Sequence, residues 1–485
     1  MKLKEIIKDI EILSPRRIPD AEISGIVFDS RKVEAGSLFV AVKGTRTDGH
    51  EYIESAFEKG AAAVICEVIP GKSASKDKIL KVKDSARALG VAASAFYGNP
   101  SSQFTLVGVT GTNGKTTIAT LLYRTFRELG YKCGLFSTVC NFIEDRELPA
   151  THTTPDPVQL NRIMGEMVES GVDYAFMEVS SHAVDQKRIA GLRFRGGIFT
   201  NLTHDHLDYH KTFENYLAAK KGFFDSLGKG CFALSNADDR NGRVMLQNTK
   251  AAKYLFSTRG MADFRAAILE QRFEGMGLKI DGEEVWTRFI GDFNASNLLA
   301  VYAASVLLGA PGKEVLTIIS GLTSVAGRLE VVKGEGTITG IVDYAHTPDA
   351  LVNVIDTINR IRQGGNKLIT VVGAGGDRDR TKRPRMAAIS AAGSSKVILT
   401  SDNPRSEDPE KILDDMEAGI TPDLKGKVVR ITDRRQAIKT AVLLAGPGDV
   451  ILVAGKGHET YQEVKGVRHH FDDREELGKA LLTKI

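Results

Sequence analysis

One segment limits the fold of this chain more than any other, because it joins a strand, a tight turn and a helix. Thr105–Thr110 is an apolar run of strand length, and Gly111–Gly114 is a glycine-rich turn. The residues after the turn repeat large apolar side chains on one helical face, at Ile118, Leu121, Leu122, Phe126 and Leu129. Gly130 is a fitting residue to end that helix. Repeated along a chain, such units build a largely parallel sheet covered by helices.

The turn in this unit also has the composition of a phosphate-binding loop. It reads Gly111-Thr112-Asn113-Gly114-Lys115-Thr116-Thr117. Consecutive N–H groups and a helix N-terminus bind phosphate oxygens, Lys115 adds a positive charge, and the Thr116 hydroxyl can reach Mg²⁺. Val109 stands where the strict pattern has its first glycine. The alternative is a plain connection between strand and helix, which the Gly-Lys-Thr-Thr run disfavours.

The same alternation of strand and helix patterns continues along the chain, and its 485 residues exceed what one hydrophobic core usually organises. We expect about three domains. They are a small N-terminal α/β domain at residues 1–103, a central P-loop ATPase-type domain with a mostly parallel sheet at 104–329, and a C-terminal Rossmann-like α/β domain at 330–485. The other predicted strands are Ile23–Phe28, Leu38–Val42, Ala62–Cys66, Asp173–Val179, Gly197–Leu202, Cys231–Ser235, Gly340–Tyr344, Lys367–Gly373, Lys396–Thr400, Val428–Ile431 and Asp449–Ala454, and further predicted helices are Ser85–Tyr97, Lys411–Ala418 and Arg434–Leu444.

Charge and cysteine content exclude several classes of protein. The chain has 65 basic and 61 acidic residues, and this balance argues against a broad nucleic-acid-binding surface. The spacing of its four cysteines fits neither a zinc ribbon nor a redox pair, so we expect reduced thiols. Met1–Asp9 lacks the apolar core of a signal peptide, and no apolar run approaches the ~20 residues that span a bilayer. The sequence therefore predicts a cytoplasmic protein without membrane insertion.

Polar residues follow several predicted strands, where open α/β sheets bind ligands. Glu178 ends one strand and is suited to hold Mg²⁺ beside a phosphate loop. The next strand leads into a polar cluster made of His204, Asp205, His206, Asp208 and His210. Zinc is one interpretation of this cluster and a polar surface loop is another, but the loop favours nucleotide-linked Mg²⁺. The run 236–239 (Asn-Ala-Asp-Asp) fits a turn and helix cap as well as a site near nucleotide or metal.

An ordered series of motifs along the chain resembles the Mur ligases, which add amino acids to the peptidoglycan precursor. The motifs are Gly111–Thr117, Thr153-Thr-Pro155, Glu178-Val-Ser-Ser-His182, Asn201-Leu-Thr-His-Asp-His206, Gly291–Asn297, Gly327-Arg328, Asp343-Tyr-Ala-His-Thr-Pro348, Asp402-Asn-Pro-Arg405 and Gly455-Lys-Gly-His-Glu459. The resemblance covers all three predicted domains. It implies an ATP-dependent ligase that activates a carboxylate as an acyl phosphate.

The resemblance implies a role for several groups of residues at the ATP and metal sites. The expected ATP-binding residues are Gly111, Thr112, Asn113, Gly114, Lys115, Thr116, Thr117, Asn294, Asn297, Arg328, Asp343 and His346. The expected Mg²⁺ ligands are Thr116, Glu178, His206 and Lys220, the last as a carbamate formed with CO₂. The expected catalytic residues are Lys115, Lys220, His206 and Asp205, with Asp205 or His206 assisting proton removal. Without the family, Lys220 would be interpreted as an exposed helix lysine.

The remaining expected residues contact the two substrates that are joined. The resemblance assigns Ser30, Thr153, Thr154, Ser180, Gln186 and Arg188 to the UDP-linked precursor. It assigns Arg378, Asp402, Asn403, Pro404, Arg405, Gly455 and Glu459 to meso-diaminopimelate. Arginine suits carboxylates and diphosphates. Diaminopimelate carries a distal carboxylate that lysine lacks, so a buried, unpaired Arg405 would penalise lysine.

The implied reaction adds meso-2,6-diaminopimelate to the D-glutamate γ-carboxylate of UDP-N-acetylmuramoyl-L-alanyl-D-glutamate. The implied partners are small molecules, without nucleic acid, and the enzyme is expected to be a monomer. Within the same chemistry, a lysine-adding ligase or a folylpolyglutamate synthetase is the alternative. From other classes, a nucleotide-dependent switch protein stays open, whereas a dinucleotide oxidoreductase is disfavoured because Arg378 replaces the last glycine of its loop.

Overall fold

The computed structural model describes residues 1–14, 18–44, 47–71, 75–150, 152–203, 205, 207–333 and 337–483. Within these ranges the chain forms three successive α/β domains, each with its own main sheet. The predicted fold class is confirmed.

The N-terminal domain is a small sheet with helices. Its strands are β1 (Gly25–Val27), β2 (Ser37–Val40), β3 (Ala63–Cys66) and β4 (Ile79–Lys81), and its helices are α1 (Leu3–Ile6), α2 (Ile53–Glu58) and α3 (Ser85–Phe96). The four strands are parallel and lie in chain order. Asp84 caps α3 by accepting from the Arg87 N–H at 2.8 Å, which explains why the helix begins there.

The central domain contains an eleven-stranded sheet whose middle is parallel. Its strands are β5 (Thr105–Thr110), β6 (Cys133–Phe136), β7 (Cys140–Ile143), β8 (Arg146–Pro149), β9 (Tyr174–Glu178), β10 (Gly196–Phe199), β11 (Phe232–Asn236), β12 (Ala252–Ser257), β13 (Phe264–Arg272), β14 (Gly275–Ile280) and β15 (Glu283–Thr287). Its order is β15-β14-β13-β12-β11-β10-β5-β9-β6-β7-β8. The last pairings at both edges, β13–β14–β15 and β6–β7–β8, are antiparallel.

Helices cover both faces of this sheet. They are α4 (Lys115–Glu128), α5 (Pro157–Glu169), α6 (Ser181–Asp185), α7 (Leu207–His210), α8 (Phe213–Asp225), α9 (Gly242–Met245), α10 (Asp292–Leu307) and α11 (Gly312–Gly321). One core joins α4, α10 and α11 to the sheet, and a second core joins α5 and α8. Both faces of β5 are therefore buried, which fixes the position of the loop that follows it.

The third domain is a six-stranded sheet with an added hairpin. Its strands are β16 (Glu330–Lys333), β17 (Thr339–Asp343), β18 (Leu368–Val372), β19 (Lys396–Leu399), β20 (Val428–Arg430), β21 (Val450–Ala454), β22 (Tyr461–Val464) and β23 (Val467–His470), and its helices are α12 (Pro348–Ile361), α13 (Lys382–Gly393), α14 (Pro409–Glu417), α15 (Arg434–Leu444) and α16 (Asp473–Leu482). The order β16-β17-β21-β18-β19-β20 is parallel except at β16. Separate cores lie on its two faces, under α12–α14 and under α15–α16.

The predicted strands are all present, with ends shifted by a few residues. The prediction missed β4, β6 and β12 and all the described antiparallel edge strands and hairpins, namely β7, β8, β13, β14, β15, β16, β22 and β23. The reason is visible in β8 and β15, which are largely exposed and lack an apolar pattern. Their position depends on pairing with a neighbouring strand, which a local sequence pattern does not encode.

The expectation of reduced thiols agrees with the structure. The four cysteines, Cys66, Cys133, Cys140 and Cys231, are free thiols. Burial raises the pKa of Cys66 and of Cys140 to about 11, so neither is an activated nucleophile. Over the described ranges, every helix is too short or too polar to cross a membrane.

Candidate active site

The carboxyl ends of strands in the central and third domains face a shared cavity of about 1190 Å³. The central domain contributes the segments after β5 and β9, and the third domain contributes the segments after β18, β19 and β21. A second cavity of about 290 Å³ adjoins the other side of the loop after β5. Both cavities lie where open α/β sheets bind ligands.

The loop after β5 has the backbone of a phosphate cradle. Gly111 has a φ of +151°, and a Cβ there would lie 1.8 Å from Thr200 Oγ1, so only glycine fits. Gly114 has a φ of +85° and leads into α4. Lys115 folds back over the loop, and its Nζ donates to the carbonyls of Gly111 at 3.0 Å and Thr112 at 2.8 Å. Its charge therefore lies at the mouth of the helix N-terminus.

The segment after β10 holds this loop in place by hydrogen bonds. The Thr112 N–H donates to Asn201 O at 2.8 Å, and the Asn113 N–H donates to Asn201 Oδ1 at 2.9 Å. The Thr203 N–H donates to Thr112 Oγ1 at 3.0 Å, and that hydroxyl also meets the Tyr216 hydroxyl at 3.1 Å. The loop is thus rigid before a ligand arrives, which favours tight phosphate binding.

Lys220 is a buried lysine beside the phosphate loop, in contrast to the exposed helix residue that local pattern suggests. Its side chain is 1% exposed, and its Nζ donates to Gly111 O at 2.8 Å. Burial, and then the charge of Lys115, place the pKa of Lys220 well below its ordinary value. Burial also lowers the pKa of Lys115, an effect that Glu178 and Asp205 oppose. This lowered pKa favours the neutral form of the Lys220 amine.

Glu178, an expected metal ligand, is buried at the edge of the large cavity. Its carboxylate is fully buried, and it accepts from the Thr138 N–H at 2.7 Å and the Thr138 hydroxyl at 3.2 Å. It lines the large cavity together with Thr116 and Lys220. In the described part of the chain, no group of three His, Cys, Asp or Glu side chains surrounds a metal position. This donor set fits Mg²⁺, which takes few protein carboxylates and completes its shell with phosphate and water.

The polar cluster after β10 is described only in part. His204 and His206 lie outside the described residues, so the expected role of His206 at the metal stays a prediction. His210 is buried and its Nε2 meets Ser181 Oγ at 2.9 Å. Asp205 is buried and its Oδ1 accepts from Lys382 Nζ at 2.7 Å. That ion pair joins the central domain to the third domain across the cavity.

The expected precursor residues of the central domain form one hydrogen-bonded wall. Thr153 accepts from the Thr138 hydroxyl at 3.0 Å, and Thr154 donates to Glu178 O at 2.9 Å. Ser180 caps α6 by accepting from Ala183 N–H at 3.1 Å. Arg188 lines the cavity and donates to Thr154 O at 2.8 Å.

Two precursor residues lie elsewhere. Gln186 stands behind the wall, where its Oε1 accepts from Arg188 Nη2 at 2.6 Å. Ser30 begins a short 3-10 turn in the N-terminal domain and is half-buried. Neither belongs to the described residues that line the two cavities. A role for Ser30 with the distal part of the precursor stays a prediction.

The smaller cavity collects the expected base-side residues. Asn297 lines it and touches the loop, since a Cβ on Gly114 would lie 2.6 Å from Asn297 Oδ1. Asn294 stands behind Asn297 and orients it, because its Oδ1 accepts from Asn297 Nδ2 at 3.1 Å. His346 lines both cavities, and its Nδ1 lies 2.8 Å from Tyr344 O.

Residues near the junction of the central and third domains also line these cavities. Arg328 Nη2 donates to Thr116 Oγ1 at 3.2 Å, and its guanidinium lies 4.7 Å from the centre of the Tyr344 ring. Asp343 accepts from the N–H groups of Leu329 at 2.6 Å and Ala345 at 2.7 Å. Burial nevertheless raises the pKa of Asp343 to about 6.

The expected amino-acid residues meet at the third-domain side of the large cavity. Arg378, Asp402 and Arg405 all line it. Arg405 has a φ of +51°, and its Nη1 donates to Gly376 O at 2.7 Å, which aims the guanidinium across the loop after β18. A Cβ on Gly455 would lie 2.6 Å from Asp402 Oδ2, so the glycine leaves room for that carboxylate.

The neighbouring Asn403 and Glu459 form a polar pair in the same wall. Asn403 Nδ2 donates to Glu459 Oε2 at 2.7 Å. Burial, and then the charge of Asp402, raise the pKa of Glu459. Pro404, which directly precedes Arg405, is buried and does not belong to the described residues that line the cavity.

The structure adds site residues that sequence reasoning missed. Lys382 reaches Asp205, Thr138 holds Glu178, and His458 and Tyr461 line the amino-acid side. Lys382 had a usable signal, because it lies in a charged run that follows β18 at the ligand-binding edge. Thr138 had none, since nothing local marks a threonine as the partner of a distant glutamate.

Comparison with family models matches all three domains. The Mur ligase middle domain matches residues 109–305, the Mur ligase glutamate ligase domain matches 327–457, and the model described as Mur ligase family, catalytic domain matches 22–97.

Individual relatives agree with these matches. UDP-N-acetylmuramoyl-L-alanyl-D-glutamate--2,6-diaminopimelate ligase of Bacteroides fragilis is 58% identical over 477 residues, covering 98% of each chain. A solved structure of a ligase with the same name is 33% identical with a TM-score of 0.71, covering 99% of this chain and 98% of that one. A MurF ligase from Thermotoga maritima, solved in complex with ADP, shares the fold at 20% identity and a TM-score of 0.62, covering 94% of this chain and 96% of that one.

Proposed function

The chain belongs to the Mur ligase family, and from this we propose that it adds meso-2,6-diaminopimelate to the D-glutamate γ-carboxylate of UDP-N-acetylmuramoyl-L-alanyl-D-glutamate. It is an ATP-dependent ligase of peptidoglycan synthesis. One observation supports the proposal most: Arg378 and Arg405 share a cavity with the phosphate loop around Lys115. A carboxylate-binding pair therefore faces the place where a phosphoryl group is transferred.

The first step is phosphoryl transfer to the precursor. A γ-carboxylate oxygen of D-glutamate attacks the γ-phosphorus of ATP, the bond to the bridging oxygen breaks, and ADP leaves. Lys115 and the loop N–H groups stabilise the negative charge that spreads over the transferred oxygens. Arg188 and the wall of Thr153 and Thr154 orient the precursor, and Asn297 and His346 meet the base.

Mg²⁺ would be held by Glu178, Thr116, His206 and a carbamate on Lys220. When bound, it neutralises phosphate charge and orients the transferred group. The carbamate forms when the neutral Lys220 amine attacks CO₂ and loses a proton, which turns a buried neutral amine into a metal-binding anion. The low pKa of Lys220 and its place beside Gly111 support this modification.

The second step is amide formation. The amine of diaminopimelate attacks the acyl phosphate, and the tetrahedral intermediate releases inorganic phosphate. The amine loses one proton on the way, and Asp205 or His206 is the proposed acceptor. Arg378 and Arg405 bind carboxylates of the amino acid, while Asp402 and Glu459 bind ammonium.

The proposal also covers the arrangement of the substrates and of the enzyme. Residues 1–103 hold the UDP end of the precursor, residues 104–329 hold ATP, and residues 330–485 hold the amino acid. The enzyme acts as a monomer in the cytoplasm. Light scattering of the pure protein at micromolar concentration tests the monomer, since a doubled mass would contradict it.

Phosphate release with different substrate sets tests the function. ATP and Mg²⁺ with the UDP-linked dipeptide and meso-diaminopimelate should release phosphate, and mass spectrometry should show the tripeptide product. Lysine in place of diaminopimelate should give a KM higher by about ten- to a hundredfold, because Arg405 would be left unpaired. Equal efficiency with lysine would favour the lysine-adding alternative. Nucleotide hydrolysis that ignores both precursor and amino acid would favour a switch protein.

A further inference from the structure

Lys456 is a buried cation behind the amino-acid wall that the proposed reaction leaves unused. Its side chain is 0% exposed. Its Nζ donates to Asn403 Oδ1 at 3.1 Å and to Glu459 Oε2 at 3.2 Å. A buried ammonium group is stable only where partners compensate its charge. Here both partners, Asn403 and Glu459, line the large cavity.

The contacts of Lys456 determine which way the Asn403 amide points. Asn403 Oδ1 accepts from Lys456 and also from the Glu463 N–H at 2.9 Å. With two donors on this side, the amide oxygen must face them, and the NH₂ group must face Glu459. Asn403 Nδ2 then donates to Glu459 Oε2 at 2.7 Å. The three side chains form a closed network with one arrangement.

The charges around Glu459 explain why the network needs a cation. Asp402 lies near Glu459, and the two carboxylates repel each other in a buried wall. Tyr344, Tyr461 and, from α15, Arg434 also interact electrostatically with Glu459. Lys456 is the cation in direct contact with Glu459 among these groups.

We propose that Lys456 is a positioning residue for the incoming amino acid, because its ammonium orients Asn403 and holds Glu459 as a carboxylate ready for the substrate ammonium. This inference deepens the proposed function and rests on it. Lys456 opposes the rise in the pKa of Glu459 that burial and Asp402 produce. Without Lys456, Glu459 would be protonated at a higher pH and would lose its attraction for an ammonium group.

Steady-state kinetics of Lys456→Gln tests the inference, with Lys479→Gln on the exposed face of α16 as the control. We expect the KM for meso-diaminopimelate to rise about tenfold or more, since a charge-assisted contact is lost. The KM values for ATP and for the UDP-linked dipeptide should stay within about twofold, because their binding sites are unchanged. Equal rises in all three KM values, or no rise, would overturn the proposal.

The pH dependence supplies a readout that a purely structural role would not change. For diaminopimelate, kcat/KM should fall at acidic pH as Glu459 is protonated, and this fall is the acid limb of the profile. In Lys456→Gln the acid limb should move to higher pH, and in Glu459→Gln it should be absent. If the acid limb of Lys456→Gln lies at the same pH as that of the unchanged enzyme, the inference is contradicted. Lys456→Arg keeps the charge, so its limb should stay near that of the unchanged enzyme; this variant decides the matter if Lys456→Gln does not fold. An unchanged enzyme that releases no phosphate with diaminopimelate would instead contradict the proposed function itself.

Discussion

Arg405 is the side chain that we propose distinguishes diaminopimelate from lysine. Its backbone is left-handed and its guanidinium is held on Gly376 O, so the side chain is oriented before substrate binds. A charge-assisted hydrogen bond to a carboxylate contributes roughly 1.5–3 kcal/mol, or about ten- to a hundredfold in affinity.

Arg405→Met should therefore raise the KM for meso-diaminopimelate by about ten- to a hundredfold and leave the KM for lysine unchanged or lower. The measurement is phosphate release with each amino acid in turn. Arg385→Met, on the exposed side of α13, is the control and should change neither value. Loss of both activities to the same extent would show that Arg405 supports the loop rather than the distal carboxylate.

His458 gives the folded protein a pH dependence. Burial, and then the charge of Arg328, lower the pKa of His458 to about 3. Its ordinary value is 6.5, so between pH 6.5 and 3 the unfolded chain binds a proton that the folded chain does not. Stability from this group is complete above pH 6.5 and falls as the pH falls, by up to about 1.4 kcal/mol per pH unit. Asp343 has a pKa raised to about 6, so its contribution to the stability of the folded protein increases as the pH falls below that value.

His458→Asn should flatten the fall in the free energy of unfolding between about pH 6 and 4. Urea unfolding at stepped pH measures it, with the exposed His469→Asn as the control. A fall of the same steepness in His458→Asn would assign the effect to other groups.

Motifs in the sequence singled out many of the charged and glycine residues that line the large cavity, and the roles assigned to them stay predictions. Local sequence pattern did not predict the burial of Lys220 or Lys456. A lysine on a helix or after a glycine is usually exposed, and only the packing of distant segments buries these two. Thr138 illustrates the same limit, since its contact with Glu178 joins residues 40 positions apart.

At the scale of elements, α15 and α16 are joined by a buried ion pair under the amino-acid wall. Arg434 and Asp473 are 0% exposed and form two hydrogen bonds of 2.7 Å. Arg434 Nη2 also donates to Ala454 O at 3.0 Å, at the end of β21. The pair thus links both helices to the strand that leads into Gly455.

Arg434→Met should lower the free energy of unfolding by about 3–5 kcal/mol, because Asp473 would remain buried without a partner. The double variant Arg434→Met with Asp473→Leu should recover most of that loss. Urea midpoints and m-values of both proteins measure the difference. If the double variant were as unstable as the single one, the contact with Ala454 rather than charge balance would be the main contribution.

The strands and helices show which elements a local sequence pattern predicts. Buried parallel strands such as β5 and β18 carry continuous apolar runs, so their position follows from sequence. The antiparallel strands β13–β15 do not, because much of β13 and β15 is exposed. Helix starts are well marked wherever an aspartate or threonine caps the first turn, as Thr347 does before Pro348.

At the scale of the whole molecule, side-chain contacts hold the central and third domains together. Lys382 meets Asp205 at 2.7 Å, and Arg360 pairs with Asp292 beside the smaller cavity. Both links border the cavities, so we expect substrate binding to favour the arrangement of the two domains that these ion pairs hold.

Lys382→Met should loosen this closure. We expect a larger radius of gyration by X-ray scattering without ligands, and more than one phosphate released for each amide formed, because water reaches the acyl phosphate. Lys396→Met, whose lysine contacts Gly426 O within the third domain, is the control. A variant that stays compact and releases one phosphate per amide would show that Lys382 does not control closure.

The side chains that we propose select the amino acid follow β18, β19 and β21, and in the described part of the chain that sheet shares no strand with the sheet that carries the phosphate loop. Mutation in two or three loops could therefore change which building block enters the cell wall while leaving the energy-coupling machinery untouched. Such a layout lets an ancestral ligase diversify by altering its final third, and it makes chimeras with exchanged C-terminal modules a practical route to new peptide products.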